Sequence, residues 1–287
     1  MDRDRDMKES LKLPERGKVK ELDKYLSLEG KNIIITGAGQ GIGLAVSKLF
    51  VKYGGRVAMI DHSGRSFQEA EKIGENALAF KCDVADEEQV KKTVDDILKA
   101  FKTVDILINN AAVIVRKNIV DTTAEEWDHA MNVGVRGTFL FSKYVLPVMT
   151  RQKKGNIINT ASNCAVSATP GAASYNAVKG AVASLTRAMA VDHAEDNIRV
   201  NCVCPGDVIT PMLINEGIQT GKITTGDPQT EEETAAWNAF IRECGSHRPM
   251  GRVSTPEEIA YTYLYLATDM SGYATGSSVI VDGGRVC

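Results

Sequence analysis

Tyr175 and Lys179 stand four residues apart in SYNAVKGAVASLTRAMAVDHA, an Ala-rich run that predicts a long helix. At that spacing two side chains share one helix face, about a turn apart. An ammonium beside a phenol favours the phenolate and lowers a pKa whose ordinary value is about 10. A tyrosine tuned in this way can give or take a proton at an alcohol or carbonyl oxygen. Ser162, at the end of the predicted strand NIINTASN, offers a hydroxyl that could hold the same oxygen. A Tyr/Lys pair at this spacing is common by chance, so its meaning depends on its surroundings.

The strongest of those surroundings is NIIITGAGQGIG, residues 32–43. An apolar β-branched run stops at Thr36, glycines follow at Gly37, Gly39, Gly41 and Gly43, and LAVSKLFVKYG then reads as a helix. Strand, glycine turn and helix is the context in which such a motif cradles a phosphate. Gly37 permits the sharp turn, Gly41 lets backbone approach a pyrophosphate, and Gly43 allows helix to pack closely on strand. The helix N-terminus presents unpaired N–H groups and partial positive charge. An ordinary glycine-rich turn is the alternative.

The next strand, RVAMI, ends at Asp61, where a carboxylate can accept both hydroxyls of an adenosine ribose and repel a 2′-phosphate. Gln40 adds no positive charge for such a phosphate. Together they favour NAD over NADP, with Arg65 as the residue able to undermine that preference. Asp61 could instead cap the helix expected at 65–73. Asp83, past the strand ALAFKCDV, could reach the adenine edge, cap the helix expected at 86–101, or both. The strand VDILINNAA runs into Asn109, Asn110, Ala111 and Ala112, small enough to let backbone pass a flat cofactor, though Asn109 could equally be a turn residue.

A helical stretch is expected from 124 to 153, with Asn132 amid apolar residues. An amide there must find partners or cost roughly 1–3 kcal/mol, which makes it a helix-bending device or part of a site. NIRVNCVCPG gives a sixth strand ending at Pro205-Gly206, and SSVIVDGG a seventh after a helix at 256–267. Between them, residues 210–250 lose periodicity, as functional lids do. Strands alternating with helices predict an α/β, doubly wound parallel sheet, whose ligands bind at the strands' carboxyl ends. Gly37, Asp61, Asn109, Ser162 and Gly206 all fall there.

Composition agrees with a globular enzyme: 287 residues, 43% hydrophobic, 25% charged, net charge −3. There is no basic bias for nucleic acid and no apolar run long enough to span a bilayer. MDRDRDMKES lacks the apolar core of a secretory signal, which predicts a cytoplasmic location. Residues 1–27 are rich in both signs of charge and read as a flexible tail or a short arm on a neighbour. Six cysteines show no metal spacing, and Cys202 and Cys204 read as buried small hydrophobes facing one way. No metal is expected.

Taken together and in order, these motifs resemble the short-chain dehydrogenase/reductase family in its short, single-domain branch. The resemblance rests on TGAGQGIG (36–43), CDV (82–84), NNAA (109–112), Asn132 in MNV, Ser162, YNAVK (175–179), PGDVITPM (205–212) and VDGG (281–284). It implies one Rossmann domain over 28–287, with a mostly parallel seven-stranded sheet flanked by helices. It implies Tyr175 as general acid/base, Lys179 binding the nicotinamide ribose and lowering the tyrosine pKa, Ser162 orienting the substrate oxygen, and Asn132 holding a water that relays protons from Lys179. The cofactor surface it implies comprises Gly37, Gln40, Gly41, Ile42 and Gly43 in the turn, then Asp61, Asp83 and Val84. From the later strand ends it adds Asn110, Ala111 and Ala112, then Pro205, Gly206, Val208 and Thr210, with Tyr175 and Lys179 shared.

Two positions depart from the family pattern, Ala112 for glycine and Val178 for serine, and neither touches the chemistry. The implied reaction is reversible hydride transfer between NAD and a secondary alcohol or ketone, in a homotetramer contacting through the helix at 172–190. An epimerase or dehydratase of the extended branch is the rival within the wider family, and a redox-sensing or scaffold protein that binds NAD without turnover is the rival outside it. Pocket walls expected at 113–115, 163–165, 168–172, Asp207, Met212 and Trp237 are mostly apolar. They suit a hydroxysteroid or cyclic alcohol, with a polyol, a sugar or a 3-oxoacyl thioester as alternatives.

Overall fold

The computed structural model describes residues 25–286. The charged segment expected at 1–27 therefore lies, up to residue 24, outside the described residues. From the first strand onward the chain alternates as expected. β1 (Asn32–Thr36), α1 (Gly41–Lys52), β2 (Arg56–Asp61), α2 (Arg65–Ile73), β3 (Ala77–Lys81), α3 (Glu87–Phe101) and β4 (Ile106–Asn109) make the first half. The second holds α4 (Ala124–Met131), α5 (Gly137–Gln152), β5 (Gly155–Thr160), α6 (Ala173–His193), β6 (Ile198–Pro205), α7 (Pro211–Gln219), α8 (Glu231–Ser246), α9 (Pro256–Ala267) and β7 (Ser278–Val281).

The strands form one seven-stranded sheet in the order β3-β2-β1-β4-β5-β6-β7, with every pairing parallel. The chain starts in the middle and winds outward in both directions, so a crevice opens where β1 and β4 diverge, at the strands' carboxyl ends. Both sheet faces are covered, which explains why β1 is a continuous apolar run rather than an alternating one. Ile33 and Ile35 face a core shared with Val46 and Phe50 of α1 and Ile259 and Tyr263 of α9. Ile34 faces the opposite core, with Val94 and Ile97 of α3 and Phe141 and Val145 of α5. Cys202 and Cys204 are buried together on β6.

Two stretches differ from the sequence reading. The helix expected at 124–153 is interrupted by a π-helical turn over Asn132–Arg136. Two glycines there let it lie close to its neighbours: a Cβ on Gly134 would fall 2.3 Å from Val178, and one on Gly137 would fall 2.7 Å from Val84. The excursion at 210–250 is also more ordered than its composition implied. It holds α7 and α8, joined by a small core of Leu213, Ile223 and Phe240 that includes Trp237 at its edge.

Candidate active site

The β1–α1 turn is shaped by backbone. Gly37 and Gly41 take φ of 63° and 57°, in the left-handed region glycine favours. Gly43 is buried behind the turn, where a Cβ would lie 2.2 Å from the Gly37 carbonyl oxygen. It shapes the turn from behind, while Gly37, Gln40, Gly41 and Ile42 line the cleft. Gln40 is the N-cap of α1 but makes no side-chain cap, and the first turn carries no acidic residue. By contrast α3, α4, α8 and α9 are capped by their own Asp86, Thr123, Thr230 and Thr255 side chains. The N–H groups of α1 are thus left to an external anion, a fit to a dinucleotide pyrophosphate.

Asp61 is buried at the end of β2, accepting from the Gly39 N–H at 3.1 Å and from the Ser63 N–H at 2.8 Å. It does not cap α2, whose N-cap is Gly64. Arg65 is exposed and donates to the Gln40 side chain. Asp83 and Val84 follow β3 and line the same cleft, and α3 is capped by Asp86, not by Asp83. The Thr36 hydroxyl accepts the Asn110 and Ala111 N–H groups, while the Asn110 amide donates back to the Thr36 and Gly37 carbonyls at 3.1 Å. This stitching holds Asn110, Ala111 and Ala112 at the floor. Asn109 instead turns inward, donating to Asn159 and Ser142 in a buried network.

Tyr175, Lys179 and Ser162 meet in this cleft, near the ends of β5 and β6. Lys179 is buried and donates to the Thr160 carbonyl at 2.7 Å, with its Nζ 5.4 Å from the centre of the Tyr175 ring. Burial pushes its pKa down to about 8. Tyr175 departs from expectation. Loss of water around its hydroxyl pushes its pKa above the ordinary phenol range, and the Ser162 hydroxyl offsets only part of that. Desolvation is the largest of the influences on this hydroxyl. Ser162 accepts the Cys164 N–H at 3.1 Å, which fixes its hydroxyl toward the cleft.

Asn132 does not join them. The π-helical turn leaves it exposed and outside the cleft lining, while the buried position beside Val178 belongs to Gly134. The proton relay expected of its side chain has no geometry here. Pro205, Gly206, Val208 and Thr210 close the far wall. Thr210 caps α7 and lies over the glycine turn, 3.3 Å from where a Gly41 Cβ would be.

A family described as enoyl-(acyl carrier protein) reductase matches residues 37–285. The chain belongs to the short-chain dehydrogenase/reductase family. It is 35% identical to the 3-oxoacyl-[acyl-carrier-protein] reductase of Thermotoga maritima, over 91% of this chain and 100% of that one. Two solved structures share its fold. One is the ligand-free aldohexose dehydrogenase of Thermoplasma acidophilum (TM-score 0.81, 30% identity, 90% of this chain and 94% of that one). The other is the 3-ketoacyl-(acyl-carrier-protein) reductase of Brucella melitensis complexed with NADH (TM-score 0.80, 32% identity, 91% and 100%). Among the described residues no helix is long and apolar enough to cross a membrane, and no cluster has the residues to hold a metal ion.

The substrate side of this family member is more charged than its sequence implied. The cavity, about 320 Å³, is walled at that end by Val113, Ile114 and Met212 but also by Arg116, Asp207, Glu216 and Arg285. Arg116, in the loop after β4, pairs with Glu216 at 2.8 Å and so ties that loop to α7 at the cavity wall. Asp207 pairs with the buried Arg248, which follows α8. Of the expected walls, Val115, Ala165, Ala168, Pro170, Gly171, Ala172 and Trp237 do not line the cavity. These partners were hidden because each pair joins residues far apart in the chain, and no local spacing signals them.

Proposed function

We propose that this protein is an NAD-dependent oxidoreductase that interconverts a secondary alcohol and a ketone. The observation that carries this reading is the meeting of Tyr175, Lys179 and Ser162 in the same cleft as an uncapped glycine turn and the Asp61 carboxylate. When bound, the nicotinamide accepts hydride from the carbinol carbon. In that direction Tyr175 takes the hydroxyl proton and Ser162 holds the oxygen, while in reduction Tyr175 returns the proton. Lys179 places a cation next to the phenol and has donors left for a ribose hydroxyl. Asp61 accepts from the adenosine ribose and disfavours a 2′-phosphate.

A reductive reading on 3-oxo compounds is supported by two of the relatives. It uses the same residues in reverse. A homotetramer fits the exposed Phe139 on α5 and Val191 on α6, apolar faces that another subunit would cover. The test follows absorbance at 340 nm with secondary alcohols and NAD or NADP, and with ketones and NADH. We expect turnover that favours NAD and vanishes in Tyr175→Phe. No turnover in either direction, with NADH bound, would leave the non-catalytic sensor as the better account.

A further inference from the structure

Three arginines stand at the substrate end of the molecule, and they are not equivalent. Arg116 has Glu216 and Arg248 has Asp207, each within ion-pair distance. Arg285 lines the same cavity, half-buried, yet among the described residues no carboxylate lies within 4 Å of it. The partner of its guanidinium is the Thr169 hydroxyl, 3.2 Å from Nη1.

Nearby Asp282 does not neutralise it. That carboxylate is buried and committed to the backbone of the closing turn, accepting N–H groups from Gly284 at 3.0 Å, Arg285 at 3.1 Å and Val286 at 3.2 Å. The Asn163 amide donates to it as well, at 3.3 Å. Asp282 therefore aims the turn that carries Arg285, and Gly283 and Gly284, with φ of 67° and 87°, let that turn fold back over the cavity.

The guanidinium is also built into the wall that holds the reacting oxygen. Ser162 accepts the Cys164 N–H, the Cys164 sulfur lies 3.1 Å from the Thr169 hydroxyl, and that hydroxyl accepts from Arg285. Asn176, next to Tyr175 on α6, fixes Thr169 by accepting its N–H at 3.0 Å and donating to its carbonyl at 2.8 Å. A half-buried guanidinium tethered by one hydrogen bond and left with donors to spare is suited to receive an anion.

We infer that Arg285 is the specificity-determining residue of this site and that the substrate is a hydroxy or oxo acid whose carboxylate it binds. This rests on the oxidoreductase reading above and names its substrate class. A monoanion matches the site better than a phosphate: Arg116 and Arg248 are already paired with Glu216 and Asp207, so among the described residues Arg285 is the one cavity-lining guanidinium without a carboxylate within 4 Å, enough for a single negative charge.

The test compares straight-chain hydroxy acids, with the hydroxyl at successive carbons, against the primary amide of each, using the full-length enzyme and NAD. Phosphate monoesters of diols form a third arm. In the wild type at least one acid should exceed its amide by about ten- to a hundredfold in kcat/KM, the usual weight of a hydrogen-bonded charge pair. Arg285→Gln should remove most of that ratio, chiefly through KM, and Arg285→Lys should restore part of it. Calorimetric titration with the matching acid lacking the hydroxyl should show the same order of affinities. Turnover of neutral alcohols with no preference for acids, an acid-to-amide ratio unmoved by Arg285→Gln, or a preference for phosphate esters would each overturn the inference. In all three cases the oxidoreductase reading would stand. Absence of turnover with every alcohol, acid and ketone would instead defeat that reading.

Discussion

At its β1–α1 end the cleft is lined by backbone, and at its α7 end by charge. The first end is made by Gly37 and Gly41 in left-handed conformations, by the uncapped N–H groups of α1, and by the Thr36–Asn110 stitching between two adjacent strand ends. The second is made by Arg116–Glu216, joining residues 100 apart in sequence, by Asp207–Arg248, 41 apart, and by Arg285 beyond the last strand. Backbone recognition needs a local turn of fixed shape and tolerates little variation. Side-chain recognition needs only that loops meet, so its identity can change while the fold does not. Between the two ends lie Tyr175 and Lys179, anchored on α6 and the least dependent on either loop set.

The sharpest way to test that division is to remove the chemistry that both ends serve. Tyr175→Phe should lower kcat by about a thousandfold, within the usual range for a general acid/base, while NADH affinity measured by fluorescence stays within about threefold. A comparable loss of NADH binding would show that the tyrosine is part of the cofactor end rather than shared between the ends.

Lys179 offers a test read in stability. Its pKa is about 8 in the fold against an ordinary value near 10.5. Between those values the unfolded chain binds more protons, so this group makes the fold gain stability as pH rises through that window. Below about pH 8 the buried ammonium carries its full desolvation cost. Urea unfolding should therefore find Lys179→Met more stable than wild type by about 2–3 kcal/mol at pH 7, with the gap closing toward pH 10. A gap that does not change with pH would mean the lysine is solvated in the fold.

The cofactor end can be broken at Asp61. Asp61→Ser should reduce the NAD-to-NADP preference by roughly tenfold or more, since it removes both the ribose acceptor and the charge opposing a 2′-phosphate. Arg65, now hydrogen-bonded to Gln40, would face the added phosphate. An unchanged ratio of kcat/KM values would place the preference elsewhere in the turn. At the lid end, a double-mutant cycle of Arg116→Met and Glu216→Gln should give a coupling of about 1 kcal/mol in substrate KM, as expected for a partly exposed pair. Coupling near zero would mean that the pair does not hold the lid closed.

The same division explains what could be read in the sequence. The sheet was legible because short, largely apolar strands alternate with helices along the chain, and the parallel order follows from that alternation. The glycine turn and Asp61 were legible because their spacing is local. The charged lid end was not, because nothing near Arg116 marks Glu216 as its partner, and the apolar character of the neighbouring Val113 and Ile114 pointed the other way. Arg285 follows directly on VDGG, so a signal existed: a cation placed just past the carboxyl end of the last strand. Spacing shows which groups neighbour Tyr175 but not how much water its hydroxyl loses on folding, and that loss pushes its pKa up.

Asn132 is the position where a motif and the structure disagree most directly. The family resemblance implied that its amide holds a water relaying protons from Lys179, and a relay must touch the buried ammonium or a water beside it. A normal helical turn would carry residues three and four apart onto one face, but the π-helical turn at Asn132–Arg136 rotates the chain and gives the inward position to Gly134. Asn132 is left exposed, where a polar side chain needs no protein partner and contributes little. Asn132→Ala should therefore change kcat/KM by less than about twofold at every pH from neutral upward, and should leave urea unfolding within about 0.5 kcal/mol of wild type. A drop in kcat that deepens as the proton must leave faster, at high pH and saturating substrate, would show that the turn rewinds when substrate binds and carries the amide inward.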